Sequence, residues 1–557
     1  MVENLVARAR ASSSDFLFAL LIGLSLVFSS TLDFDIGFIG PIVEVHPVFW
    51  IILTISIVFV LTRRKKRVYP ALIVLFFIGL SLRLIPATHS LYPGVDPWGE
   101  LASVHRIQAM GFDLRGNYAH SSLPVLQTLL ILSIPVFGQY NTITFFGPIF
   151  GWILAFVCLY KLAREFLSTE NALLVLMTYA CANISYQYLS IPETIALGIG
   201  FATVLLFHRN IVRQSMKYAL ATIGVYALLI FTHHLTAFFV LLATGSIVVV
   251  LMFQKRKTTN LARALFVWFS MLLAFLLYFE FYQHMLSSLL LVQVEHPMVG
   301  LPTGWPKPLW WWILYILPYA FLLSMLAAWI VPFMIRKKIP EHTEILAMVL
   351  AGGFLFLFSF LTPQNLPPLR ILNQSGGYLL MGAACVSLHG RAKLSNVLII
   401  MLSATLLLGL VTAFPMTNKT NFYVGGYWIS HTSDEILALQ YIAANATPGS
   451  RIAADGRCRQ IIVGLAPVER NLRAPTISDI SEIYSTNSTV EAWNYCINDS
   501  ITYVFVSKFY EVIAQFSVYG GGTKFSDAQL SKFTSPYFTL WYTNAEASIY
   551  LVNPKAS

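Results

Sequence analysis

Charge is scarce in this chain: only 11% of its 557 residues are charged, whereas 57% are hydrophobic. Average soluble chains carry roughly 25% charged and about 45–50% apolar residues, so an ordinary water-soluble globule is excluded. Soluble-enzyme signatures are missing too. There is no P-loop, no dinucleotide fingerprint, no HExxH and no CxxC pair, which argues against a nucleotide-driven reaction. Cysteine is sparse. Of the five, Cys158, Cys181 and Cys385 lie in apolar runs as small core residues, whereas Cys458 and Cys496 share a polar C-terminal region where they could pair. An internal repeat of the kind inverted-repeat transporters show is also missing. The first apolar run, Phe16 to Leu32, follows Arg8 and Arg10 and leads to Asp33 instead of a small-residue cleavage site. It reads as a first transmembrane helix, not a cleaved signal.

What is present is a series of apolar segments, each long enough to cross about 30 Å of hydrocarbon. They fall near 16–32, 48–62, 68–86, 143–160, 171–189, 193–208, 218–232, 236–253, 264–279, 309–333, 344–361, 371–388 and 395–413. The reading is a polytopic α-helical membrane protein with thirteen spans. Basic residues in short loops collect on the cytoplasmic side, and they test the count. Arg8/Arg10, Arg63 to Arg67, Lys161/Arg164, Arg209/Arg213/Lys217, Lys255 to Lys257 with Arg263, Arg336 to Lys338, and Arg391/Lys393 all fall on one side. Before Phe414, the loops and helix ends of the opposite side hold only Arg83, Arg106, Arg115, Lys307 and Arg370. The N-terminus is therefore expected inside the cell and everything after Phe414 outside it. Counting 122–137 as another span would invert every later cluster. With Pro124 and Pro135 it reads instead as a re-entrant or interfacial helix within a long external loop, 87–142.

Residues 1–413 thus form the membrane domain, and 414–557 a small extracytoplasmic α/β domain. In the latter, Thr432-Ser433-Asp434-Glu435 starts a helix running to Ala444, and 501–506, 538–543 and 547–552 read as strands. This region is nearly neutral, with ten Lys+Arg against eleven Asp+Glu. The formal net charge of +10 is therefore a topology signal, and nucleic acid drops out as a partner. Sequons at Asn418, Asn445, Asn487 and Asn498 fall here. Matches at Asn183 and Asn373 inside spans show that chance produces the pattern.

The densest outward charge lies in Tyr92 to Arg106, where Asp96, Glu100, His105 and Arg106 stand between apolar segments. Ionisable groups beside hydrocarbon are costly and tend to be functional. Asp96-Pro97 is a helix start, so Asp96 is either a cap or part of an acid/base and anion-binding centre that also gathers Glu100, His105 and Arg106. Pro192-Glu193 is a second acidic helix start at an outer turn. His233-His234 forms a third outer feature, and adjacent histidines diverge by about 100° on a helix, so at most one faces a common site. Arg370 precedes an apolar span with no acidic neighbour, placed either to snorkel or to hold a phosphate. Trp305 and Trp310 to Trp312 read as an interfacial aromatic belt.

The order and side of these motifs resemble the GT-C superfamily of membrane glycosyltransferases, particularly archaeal members using dolichyl-phosphate sugars, and more distantly the catalytic subunit of oligosaccharyltransferase. The residues carrying the resemblance are Gly94-Val95-Asp96-Pro97-Trp98 with the following His105-Arg106, Tyr160-Lys161 to Arg164, Pro192-Glu193, His233-His234, Arg370 and the C-terminal outer domain. It implies Asp96 as catalytic base and Glu193 as a second acid, with Glu100 beside them. Arg106 and Arg370 would be phosphate contacts, and His105, His233 and His234 further substrate-binding groups. Two departures stand out. The long external loop follows the third helix, not the first, and 414–557 has no Trp-Trp-Asp acceptor motif, which favours transfer of a single sugar.

The expected activity is an inverting hexosyltransferase of the multi-pass cell membrane. It would move a sugar from a polyprenyl (dolichyl) phosphate carrier to a lipid-linked glycan or protein acceptor. Such a site needs a base for the acceptor hydroxyl and cations for the leaving phosphate. No cofactor is fixed by the residues, and a divalent cation, Mg or Mn, stays open as one. The alternative class is a lipid or solute transporter, which would hold charged or broken helices at mid-bilayer depth; in the thirteen-span reading no Lys or Arg lies deep in a span.

Overall fold

The structure is a computed structural model that describes residues 2–32, 46–65, 67–89, 96–110, 124–182, 192–253, 258–278, 343–359, 433–473, 477–511 and 525–555, with short stretches at 330, 376–382, 384–385, 400, 423–424, 427–428 and 475. Its membrane part is built from α1 (Val2–Ser30), α2 (Pro47–Arg63), α3 (Val68–His89), α4 (Asp96–Met110), α5 (Pro124–Phe137), the single turn α6 (Gln139–Asn141), α7 (Gly147–Phe166), α8 (Thr169–Ala182), α9 (Pro192–Arg213), α10 (Met216–Ile230), α11 (His234–Phe253) and α12 (Thr258–Tyr278), with a later helix over Thr343–Ser359. Prolines sit in the first turns of α2, α7 and α9, where the missing N–H costs nothing.

Among the described residues, four helices are long and apolar enough to cross a membrane: α3 over Val68–Ile85, α9, α11 and α12 over Asn260–Tyr278. Of the other expected spans, 16–32 and 143–160 overlap α1 and α7, and 48–62, 171–189, 218–232 and 344–361 overlap shorter helices. Those at 309–333 and 395–413 lie outside the described residues, and 371–388 is described only in part. The 122–137 segment forms α5, whose 14 residues reach only about 21 Å at 1.5 Å per residue.

Cross-helix contacts fix the directions. In lipid, apolar faces gain little by meeting each other, so small residues that let backbones approach decide the packing. A methyl on Gly151 of α7 would stand 2.7 Å from the Thr194 carbonyl oxygen of α9, and one on Gly198 would stand 2.8 Å from the Ala155 nitrogen. These two helices therefore run parallel in close contact. Further along them, Arg209 bridges Glu165 at 2.6 Å. α3 runs the opposite way, since Arg83 near its end lies over Trp152 near the start of α7.

The bundle thus has two chemically different ends. At one, Asp15 pairs with Arg63 and Arg67, Lys65 with Glu170, and Arg209 with Glu165. At the other lie the end of α3, the starts of α7, α9 and α11, and the helices α4 and α5.

Beyond the bundle, β1 (Tyr423–Val424) and β2 (Tyr427–Trp428) form a short antiparallel ladder. A four-stranded sheet has the order β3-β4-β6-β5, with β3 (Arg451–Ala453), β4 (Ile501–Ser507), β5 (Phe538–Thr543) and β6 (Ala547–Val552). β3 and β4 are parallel and the other pairs antiparallel, with helices at Ser433–Asn445, Gly456–Leu465, Ile477–Ser485 and Thr489–Asn498 around them. Cys458 and Cys496 are both free and buried. The Cys458 thiol points to Glu435 Oε1 at 3.6 Å, and burial pushes the Cys496 thiol up to about 12.

Candidate functional site

Asp96 opens α4 with Pro97 behind it, so the backbone begins a helix where the sequence expects one. The side chains of Asp96 and Arg106, and the whole of Arg370, lie outside the described residues. Glu100 is one turn into α4 and only 1% exposed. Its Oε2 accepts a hydrogen bond from Gln127 Nε2 of α5, both groups being buried. That amide donor fixes the orientation of the Glu100 carboxyl group.

His105, near the other end of α4, is 7% exposed. Gln139 Nε2 of α6 stands 3.1 Å from its Nε2. Because that amide nitrogen can only donate, the neutral ring accepts there and carries its proton on Nδ1. Burial holds the imidazole below its ordinary pKa, and the Val463 carbonyl and the Glu469 charge, both from the C-terminal part of the chain, oppose it. α4 is therefore tied to α5 by its carboxylate and to α6 by its imidazole.

Glu193 stands in the first turn of α9 and is 1% exposed. His233 precedes α11, and its Nδ1 lies 2.7 Å from Thr236 Oγ1 and accepts from the Thr236 amide at 3.4 Å. It is thus a helix cap, which leaves the ring proton on Nε2. The His234 ring is 5.5 Å from that of His233 at 33°, so the pair does not splay as widely as an ideal helix would make it. Gly200 in α9 faces Thr236 and Val240 in α11, and Arg263 near the start of α12 donates to the Gln214 carbonyl just past the end of α9; as only residues 254–257 separate the end of α11 from the start of α12, α9 and α11 run side by side from the same end. The structure thus brings Glu100, His105, Glu193, His233 and His234 to one end of the bundle. Among the described residues no group of three or more His, Cys, Asp or Glu could hold a metal ion.

Three contributors escape a sequence reading. Gln127 and Gln139 orient the acid and the imidazole, and the sequence signal for Gln127 is a lone amide inside an otherwise apolar helix. Arg83 is 1% exposed; its guanidinium lies 4.0 Å over the Trp152 ring while Nη1 donates to the carbonyls of Gly79 and Ala180. The sequence places this cation with the external helix ends, whereas the structure buries it inside the packed end of α3, α7 and α8. An aromatic face and two carbonyls there replace water.

The fold these elements make has counterparts among solved structures. The crystal structure of ArnT from Cupriavidus metallidurans in the apo state is similar, with a TM-score of 0.51 at 11% identity over 91% of this chain and 98% of that one. ArnT from the same organism bound to undecaprenyl phosphate aligns over the same shares at 12% identity with a TM-score of 0.43. No family model matches the chain, and no curated protein matches it.

Proposed function

We propose that this protein is a glycosyltransferase that takes a single sugar from a polyprenyl (dolichyl) phosphate carrier. It delivers the sugar, with inversion, to a lipid-linked glycan or protein acceptor at the outer face of the membrane. The observation that carries the reading is the gathering of two nearly water-free carboxylates, Glu100 and Glu193, with His105 and His233 at one end of a GT-C-like bundle. Carboxylates so placed are costly to bury and tend to be functional.

In this reading a carboxylate of the α4 start, Asp96 with Glu100 beside it, removes the acceptor hydroxyl's proton as the hydroxyl attacks the anomeric carbon. The sugar–phosphate bond breaks, and the leaving phosphate takes the negative charge. Arg106 and Arg370 receive that phosphate, and Glu193 supports the sugar or a cation from the α9 side. The lipid tail stays in the bilayer, so no soluble nucleotide is needed. The test is incubation of purified protein with a panel of radiolabelled polyprenyl-phosphate sugars and membrane extract. Labelled product of inverted anomeric configuration is expected from at least one donor. Donor binding without transfer in any combination would favour the transporter class instead.

A further inference from the structure

We infer that the Gly456–Leu465 helix is the positioning element for α4, and that Gly464 sets the distance at which the two helices meet. The inference rests on the glycosyltransferase reading for its kinetic consequences only.

The helix presents two faces at the i, i+3, i+4 spacing of one-sided packing. One face sends Cys458, Ile461 and Ile462 into the core beside the sheet, where all three are buried. Its start is pinned to the end of β3. Asp455 caps it by accepting from the Cys458 amide at 3.0 Å, and the Asp455 amide donates to the buried Tyr510 hydroxyl at 3.0 Å. The helix is thus fixed to the sheet before it reaches the bundle.

The opposite face carries Gln460 and Gly464 onto α4. A methyl on Gly464 would lie 2.8 Å from the Trp98 carbonyl oxygen and 3.3 Å from its indole, and one on Gly99 would lie 3.6 Å from Gln460 Oε1. Trp98 is 1% exposed and sits two residues from both Asp96 and Glu100. The contact with Gly464 is to backbone, so no rotamer change can relieve an added methyl. Relief requires the helices to part by about 0.6 Å, the shortfall from the 3.4 Å at which ordinary contact begins.

Misplacing a reacting group by about 1 Å costs about 10²-fold in rate, so about 0.6 Å costs roughly tenfold. Gly464 touches no substrate. It acts through α4, with Gln127 and Gln139 holding that helix from the bundle side.

The experiment compares the full-length protein with Gly464→Ala, Gly464→Leu and a control, Gly224→Ala, where an added methyl meets nothing within 4 Å. Turnover, donor KM, melting temperature and hydrogen exchange of the 96–110 peptide are measured together. Gly464→Ala should lower kcat of the folded protein about tenfold with donor KM within twofold, should lower melting by a few degrees while the protein stays folded at the assay temperature, should speed exchange in 96–110, and should leave the pH optimum in place. Gly224→Ala should match the wild type. A fall in kcat that merely tracks the folded fraction, or unchanged kcat in Gly464→Ala, overturns the inference. Should Gly464→Leu fail to fold, the alanine variant decides. If the wild type transfers no sugar from any donor, the functional reading fails. The exchange measurement then still judges the contact, and unaltered exchange of 96–110 in Gly464→Ala removes it.

Discussion

Replacing Gln127 with Leu should destabilise the protein, and restoring that loss by also replacing Glu100 is the sharper expectation. In the wild type the amide of Gln127 donates to a carboxylate that is 1% exposed. A hydrogen bond to a charged group contributes about 1.5–3 kcal/mol, and a buried partner left unsatisfied bears its full desolvation penalty. Gln127→Leu therefore costs about 1.5–3 kcal/mol, a factor of about 10 to 100 at 1.4 kcal/mol per decade. Glu100→Leu strands the amide instead and costs about 1–3 kcal/mol. Replacing both partners with apolar groups of similar shape can be nearly neutral, so the double variant should be more stable than either single one. Thermal melts of the four proteins in one detergent, monitored by tryptophan fluorescence, give the cycle. Gln127→Leu should also reduce sugar transfer at least tenfold, because the carboxylate loses its orientation. Additive losses, with the double variant below both singles, would refute a direct partnership between these side chains.

Four further outcomes are expected. Asp96→Asn should fold and bind donor, since Asn caps a helix as well as Asp, while turnover falls about 10²–10⁴-fold; normal turnover with an unchanged melt would reduce Asp96 to a cap. Arg370→Ala should weaken donor binding by about 1.5–3 kcal/mol, measured by donor titration of the folded variant, and unaltered affinity would leave only snorkelling. Single cysteines in a cysteine-free background should react with an impermeant reagent at Ser557 but not at Thr62, and the reverse pattern would end the proposed topology. His105 is held below its unfolded value of about 6.5, so its contribution to stability is complete above that pH and is lost as pH falls toward the folded value. Melting temperature against pH should slope more steeply for wild type than for His105→Gln below about pH 6.5, and parallel slopes would dismiss the imidazole.

Local grammar was legible where it determines structure. The strands expected at 501–506, 538–543 and 547–552 coincide with β4, β5 and β6, and the start at Ser433 coincides with its helix. Asp96-Pro97 and Pro192-Glu193 open α4 and α9, because capping and a fixed proline φ act over a single turn. β3 was not legible: three residues are too few for an alternation, and its parallel pairing with β4 is made from 50 residues away in sequence. The partners of the candidate site were hidden for the same reason. Gln127 and Gln139 reach Glu100 and His105 across 27 and 34 residues, and no spacing rule links them. The burial of Arg83 was equally invisible, since the groups that replace its water include Trp152 and the Ala180 carbonyl, contributed by two other helices.

The contrast between the two ends of the bundle separates structural from functional charge. At the ion-paired end, the Arg63, Lys65 and Glu170 side chains keep 44%, 63% and 40% of their surface exposed, and exposed pairs contribute about 0–1 kcal/mol each. Those residues are best explained by topology, because positive charge there follows the loop rule. At the other end the carboxylates are withdrawn from water, and local structure explains some of the polar groups but not others. His233 is accounted for as a cap by its bond to the Thr236 amide. Glu100 lies inside α4, past the cap position, where a leucine would pack without needing an amide from α5. A buried acid together with a buried amide that orients it is more costly than two apolar side chains of the same volume. That excess is the physical reason to seek the chemistry of this protein at the α4 end, and the Gln127 and Glu100 double variant measures it directly.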